Sequence, residues 1–306
     1  MPKINYTSGE RVTIETLLSH YSNKELSGAR VSWKITSGAS GHFEVGKSIN
    51  RTRVETLAPV SFVAPNVDKP RREQFFIEAR ARDNSLIAEN SYDLFVFPKL
   101  SLAQKTALIV HDPAGSLALA GKLASAGYNV SADANISDAG SKKLMIATVY
   151  DDAVERHLRG GGRVIVLANS KDALPARLPF KVTPRAGSDL DGNWVTNFNW
   201  IKRDAAPFRD VAFAPLLGFE SAATVPQYVI QNVRAEDYAD VMSGIFYGWL
   251  NNNAALAMQM RVGEGKAFVT TFRFNAYGSD PYPTRLLDSM IRYASGSDFA
   301  PKLALP

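Results

Sequence analysis

The stretch SYDLFVFPKLSLAQKTALIVHDPAGSLALAGKLASAGYNVSAD, residues 91–133, decides the fold. Up to Pro98 it alternates. Tyr92, Leu94 and Val96 stand against Asp93, Phe95 and Phe97, the period-two pattern of a strand. Beyond Pro98 the texture changes. Ala107–Val110 is a continuous apolar run, as in a strand buried on both faces. GSLALAGKLASAG then places Leu117, Ala120, Leu123 and Ala124 on one helical face, Gly127 ends the helix, and YNVSAD resumes strand character. An all-β segment therefore gives way near Pro98 to alternating strands and helices.

Upstream the pattern stays all-β. Val12, Ile14 and Leu17 can share a strand face, and Asn23-Lys24 suits a turn. Val31, Trp33 and Ile35 alternate with Ser32, Lys34 and Thr36 until the run Gly38–Gly41 breaks the strand. Phe62 belongs to a short apolar run closed by Pro65. Phe75, Ile77, Ala79 and Ala81 alternate with Phe76, Glu78, Arg80 and Arg82, and Asp83-Asn84 marks a tight turn. Strands this short bury a face only against a second layer, so residues 5–97 predict an immunoglobulin-like β-sandwich. Trp33 fits its core; an exposed sugar platform is the alternative.

Downstream, residues 98–306 predict an α/β sheet domain. KLMIATVY is a buried strand, Asp151 or Asp152 caps a helix carrying Val154, His157 and Leu158, and RVIVL at 163–167 is the next strand. From about 171 to 240 prolines and the polar AGSDLDGN predict loops or an inserted lobe. Ile245–Leu250, Ala254–Val262 and Ala267–Phe274 read as strands. PYPTRLLDSMIRYAS reads as a helix, with Leu286, Leu287, Met290, Ile291 and Tyr293 as its apolar cover.

Composition removes several chemistries. The 306 residues suit two modest domains, and the apolar fraction of 45% is that of an ordinary globular chain. No cysteine occurs, which excludes disulfides, thiolate catalysis and cysteine–zinc sites. The histidines at 20, 42, 111 and 157 match no metal-binding spacing. A net charge of +5, scattered apart from Lys69, Arg71 and Arg72, argues against a nucleic-acid partner. No run of eighteen apolar residues predicts a membrane span, and the first residues lack a signal-peptide core. No cofactor or metal is expected.

The chemistry-bearing residues are few. His111 and Asp112 follow a strand directly, at the carboxyl edge where open α/β sheets hold ligands. His111 can serve there as a base, or as a satisfied loop histidine. Ser116 suits a helix cap, and no GxSxG elbow exists. Asp151 and Asp152 suit a cap better than a cation site. Gly160-Gly161-Gly162 suits a turn better than a phosphate cradle. If Trp194–Trp200 is extended, Trp194, Phe198 and Trp200 share a face that can stack on sugars, with Asn197 and Asn199 as polar partners. Packing explains the same residues.

The segments SGARVSWKI, FIEARARDNSLIAENSYDLFVFP, SGIFYGWLNNNAALAMQMRVGEGKAFVTTFRF and SMIRYA, in that order, resemble the C-terminal accessory region of glycoside hydrolase family 2 proteins. The resemblance implies a multidomain β and α/β chain, in which an immunoglobulin-like sandwich precedes a flavodoxin- or amidotransferase-like α/β domain. It also implies a glycosidase parent whose two catalytic acids sit on a separate TIM barrel of roughly 250 residues, for which this chain has no room. Active amidotransferases use a cysteine; here Thr148-Val149-Tyr150 occupies the expected elbow. The expected role is a non-catalytic accessory region that supports domain packing, oligomerisation or glycan contact, its partners being the catalytic domains of a larger parent chain, a second copy, or polysaccharide. Such a parent would be periplasmic or secreted. The alternative is a stand-alone carbohydrate-active hydrolase or esterase using the His111–Asp112 strand edge.

Overall fold

A computed structural model describes residues 3–21, 26–46, 49, 52–99, 106–132, 143–185, 198–245 and 254–305. The chain divides into two compact units, Met1–Lys99 and Leu100–Pro306. Together they make a mixed β/α multidomain architecture.

The first unit is all β. Its strands are β1 (Asn5–Thr7), β2 (Arg11–Ile14), β3 (Leu17–His20), β4 (Arg30–Ile35), β5 (Ser40–Glu44), β6 (Arg53–Thr56), β7 (Val60–Val63), β8 (Arg71–Arg80) and β9 (Leu86–Phe97). Five of them form one sheet in the order β1-β9-β8-β4-β5, with β1 parallel to β9 and the other pairs antiparallel. The pairs β2–β7 and β3–β6 make the second layer. The turn at Asp83-Asn84 joins β8 to β9, with Asn84 at φ 65° and Asp83 accepting the Ser85 amide.

The layers share a core of Tyr6, Val12, Ile35, Val60, Phe75, Leu94 and Val96. Trp33 stacks on Phe62 across the layers at 5.5 Å and on Phe75 beside it at 6.2 Å, so it packs in the core. Gly41 lies opposite Trp33 in the register, and a Cβ there would sit 2.8 Å from the indole. The glycine lets the ring lie flat over the neighbouring strand. The expected turn at Asn23-Lys24 lies outside the described residues.

The second unit contains β10 (Ala107–His111), α1 (Leu119–Ser125), β11 (Asn129–Ala132), β12 (Leu144–Ala147), α2 (Asp152–Arg159), β13 (Arg163–Leu167), β14 (Lys181–Pro184), β15 (Asn199–Ile201), β16 (Tyr228–Gln231), β17 (Val241–Ile245), β18 (Ala255–Val262), β19 (Gly265–Thr270), α3 (Pro281–Ser295) and β20 (Ala304–Leu305). The main path of its sheet runs β11-β10-β12-β13-β19-β18-β16-β14, parallel through β19 and antiparallel beyond it. β15, β17 and β20 add to it alongside β18. Val154 and Leu158 of α2 pack with Met145, Ala147, Val164 and Val166 on one face. Residues of opposite parity face α3, where Tyr293 meets Phe268 edge-on at 6.2 Å.

Several expectations need correction. α1 starts at Leu119 behind Ala118, which is left-handed at φ 46°, and Ser116 does not cap it. Its buried residues are Leu119 and Leu123, whereas Ala124 is exposed. Where loops or an inserted lobe were expected from 171 to 240, the described residues contribute β14, β15 and β16 to the sheet. Pro184 is tolerated because β14 is an edge strand, where a missing amide breaks no inner ladder. β17 covers Val241–Ile245, upstream of the strand expected at Ile245–Leu250; residues 246–253 lie outside the described residues.

Candidate functional site

The parallel strands place their carboxyl ends on one edge, and the order in which strands are added reverses between β10 and β12. The strands to either side of this point are connected in opposite senses, the position at which open α/β sheets commonly hold ligands. β10 ends there in His111, followed by Asp112. β12 ends in Ala147, followed by Thr148 and then Asp151 at the head of α2.

His111 is 6% exposed, and its Nε2 lies 2.8 Å from Asp151 Oδ2. An ionised carboxylate only accepts, so Nε2 donates. Asp151 Oδ1 accepts the amides of Ala153 and Val154, which makes this residue the cap of α2. Partial burial pushes the Asp151 carboxyl upward. The His111 hydrogen bond, the two amides and the attraction of His111 outweigh it and hold the group below its ordinary value. Asp152 points elsewhere, 3.6 Å from Arg177 and largely exposed.

Asp112 is spent on its own loop. Its Oδ1 accepts from the Ser116 amide, the Ser116 hydroxyl and the Thr148 hydroxyl at 3.0–3.2 Å, and Oδ2 accepts the Leu117 amide. Both neighbouring hydroxyls therefore donate to Asp112. Neither is hydrogen-bonded to His111, so the paired hydroxyl and base that nucleophilic catalysis needs are not assembled. The sequence places His111 and Asp112 side by side, but the partner of His111 is Asp151, forty positions on. Thr148, which the sequence reading placed only at the expected elbow, joins the site as a donor to Asp112, a partnership the sequence did not show.

The edge continues past β13 to Asn169, whose Nδ2 donates to the Phe272 carbonyl, and past β19 to half-buried Arg273. No carboxylate among the described residues pairs with Arg273. From β10 to β19 is three strand spacings, about 14 Å, a ledge rather than a compact catalytic centre. Among the described residues no three His, Asp or Glu side chains converge as metal ligands.

Gly160-Gly161-Gly162 turns α2 into β13. Gly160 is the C-cap and Gly161 has φ 85°. A Cβ on Gly162 would lie 2.6 Å from the His157 carbonyl oxygen, so close packing requires this glycine. His157 is held below the usual imidazole range by burial, against hydrogen bonds to the carbonyls of Lys143 and Arg163.

The aromatic segment divides. Trp194 and Asn197 lie outside the described residues. Phe198 is 61% exposed. Asn199 is buried, which removes it as a surface partner for a ligand. Trp200 is half-buried; it packs against the core and lies 6.4 Å from the Tyr238 ring, over Gly244. Leu216, paired with Trp200 across an isolated bridge, and Phe219 are also exposed.

Residues 10–98 match the domain family DUF8488, a domain of unknown function. No curated protein matches the chain. Among solved structures, a 2,6-sialyltransferase from Photobacterium sp. JT-ISH-224 is similar at 13% identity and TM-score 0.18, over 56% of this chain and 36% of that one. A β-glucuronidase from Parabacteroides merdae is similar at 12% identity and TM-score 0.20, over 52% of this chain and 23% of that one. A sialyltransferase from Photobacterium damsela is similar at 15% identity and TM-score 0.18, over 56% of this chain and 31% of that one. The chain spans 23–36% of the length of these structures.

Proposed function

We propose that this chain is a non-catalytic accessory region of a carbohydrate-active protein. In this reading an immunoglobulin-like sandwich and a flavodoxin- or amidotransferase-like α/β unit dock a catalytic domain of the parent or a second copy, or contact glycan. The observation that carries it is how the polar groups of this strand edge are spent. Asp112 receives four donors from its own loop and from Thr148 just past β12, and Asp151 caps α2 while receiving His111. These groups organise the strand edge.

The domain types draw support from topology. The order β1-β9-β8-β4-β5, with β1 parallel to β9 and Trp33 between the layers, suits an immunoglobulin-like sandwich. In sequence order the parallel strands run 2-1-3-4-5, the flavodoxin-like arrangement. The carbohydrate context comes from the segment resemblance to glycoside hydrolase family 2 accessory regions. Of the aromatic platform expected at 194–200, Phe198 is the described side chain still open to a ligand. Among the described residues no helix is long and apolar enough to cross a membrane.

A second reading, a hydrolase or esterase at the same edge, is favoured by one observation: a buried imidazole held by a carboxylate at 2.8 Å at the carboxyl end of the parallel strands. Turnover assays on aryl glycosides and aryl esters separate the two. The accessory reading expects no turnover by the purified chain. Turnover that His111→Gln abolishes, in a variant that still folds, overturns it in favour of the second.

A further inference from the structure

The outer face of the five-stranded sheet of the first unit carries a hollow of about 810 Å³, within the range of about 300–1,000 Å³ usual for small-ligand clefts. Its floor is set by register. One row across the sheet reads Ser40, Lys34, Phe76, Ser91; the next reads His42, Ser32, Glu78, Glu89. Phe76 is the one aromatic ring among them. It is half-buried, with the Lys34 ammonium 5.6 Å from its centroid. The serines beside it are short, which leaves the ring at the bottom of a trough.

The charges on this floor do not cancel one another. Glu78 is held in a two-pronged pair by Arg80, and Glu89 also lies in the field of Arg80. Arg30 and Lys34 are exposed on β4, and neither has an ion-pair partner among the described residues. The trough therefore offers two cations without carboxylate partners, an aromatic ring, and hydroxyl, imidazole and carboxylate groups that exchange hydrogen bonds with alcohols.

We propose that this trough binds an acidic oligosaccharide, a sugar chain carrying carboxylates. Arg30 and Lys34 take the carboxylates as charge-assisted hydrogen-bond donors. The apolar face of one sugar lies on Phe76, and His42, Ser32 and Glu89 meet its hydroxyls. A second copy of the chain is the poorer occupant: two hollowed faces set against each other enclose a void instead of packing. The proposal rests on the carbohydrate context proposed above, yet it concerns a separate face and has its own test.

The test is titration calorimetry of the full chain at low salt with oligogalacturonate, and with a neutral galactan oligomer of equal length. The expected result is binding of the acidic oligomer only, weakening as salt screens the cations. Removing both cations in the double variant Arg30→Ala, Lys34→Ala lowers affinity about tenfold or more. Phe76→Ala lowers it as well. The charge variants alter exposed side chains, so circular dichroism should be unchanged. No binding of oligogalacturonate at millimolar concentration, or binding untouched by the double variant, overturns the proposal. If those variants bind as wild type does while Phe198→Ala loses the glycan, the trough is refuted and the carbohydrate context stands. Self-association in sedimentation that the double variant abolishes, without glycan binding, assigns the face to a second copy instead.

Discussion

Gly265→Ala tests the packing that holds α2 against the sheet. A Cβ built on Gly265 lies 2.3 Å from the Leu158 carbonyl oxygen, 2.7 Å from the Gly162 oxygen and 2.7 Å from Leu158 Cα. Ordinary C···O approach is about 3.3 Å or more, so the new methyl overlaps backbone by about 1 Å. Backbone cannot swing aside as a side-chain tip does. Relief requires the end of α2 and the turn into β13 to withdraw from β19, which strains the Lys266 amide bond to the Gly162 carbonyl at 3.1 Å. Overpacking costs about 1–3 kcal/mol and a weakened hydrogen bond about 1 kcal/mol, so the expected loss is about 2–4 kcal/mol. At a urea dependence of about 2 kcal/mol per molar, the midpoint of the second unit falls by about 1–2 M. Two glycines of the same unit calibrate the result. Gly161→Ala meets no close neighbour but keeps φ 85°, a left-handed conformation costing an L residue about 1–2 kcal/mol. Gly121→Ala, inside α1 with nothing within 4 Å, should stabilise by about 0.5–1 kcal/mol. Urea unfolding followed by circular dichroism reads all three. A Gly265→Ala midpoint equal to wild type, or above that of Gly161→Ala, refutes the close backbone contact.

The other predictions concern buried polar groups and pH. Asp240 is 3% exposed and accepts from Gln259 Nε2 at 2.7 Å and from the amides of Lys302 and Leu303; Asp240→Ala leaves those donors unmet, so a loss of about 3 kcal/mol and faster amide exchange at 302–303 are expected. The folded Asp151 carboxyl titrates below its unfolded value near 3.8, so its stabilisation is present above that pH and is lost as pH falls through the lower folded value. Asp151→Asn, which still caps α2, should flatten the acid limb of a plot of Tm against pH; an unchanged limb refutes the His111 and amide bonds as its source. Tyr293 is raised to about 12, first by burial and then by the Asp240 charge, against its hydrogen bond with Gln259. Its contribution is therefore full below pH 10 and is lost as pH rises towards about 12, and Tyr293→Phe should shift the alkaline unfolding curve measured by phenolate absorbance.

The sequence was most readable where one element settles the answer. Val31-Ser32-Trp33-Lys34-Ile35 alternates as a strand, and Val31 and Ile35 are buried while Lys34 is exposed. Asp151, at the start of the DDAVERHLRGGG segment, was recognisable as a cap because its side chain needs only the amides of the next turn. α1 was harder. Its alanines and leucines suit several helical phases, and the Asp112 loop with left-handed Ala118 postpones the start to Leu119. Residues 171–240 read as loose because β14, β15 and β16 are only three or four residues long, too short to show a period. In the candidate site, the chemical types of His111 and Asp112 were legible and their partners were not.

By itself the sequence determined local quantities: the change of texture at Pro98, the strand and helix periods, the absence of cysteine and the chemistry that absence removes. These depend on neighbours a few positions apart along the chain. The tertiary structure decided what depends on distant segments meeting. It set β10 between β11 and β12, paired His111 with Asp151, and turned Asp112 towards Thr148. It buried Asn199 and laid Trp200 against Gly244, which divided the aromatic segment between core and surface. It also gathered Arg30, Lys34, Phe76 and Glu89 from three strands onto one face. The register that joins them comes from pairing between strands, and residue spacing along the chain does not fix that pairing.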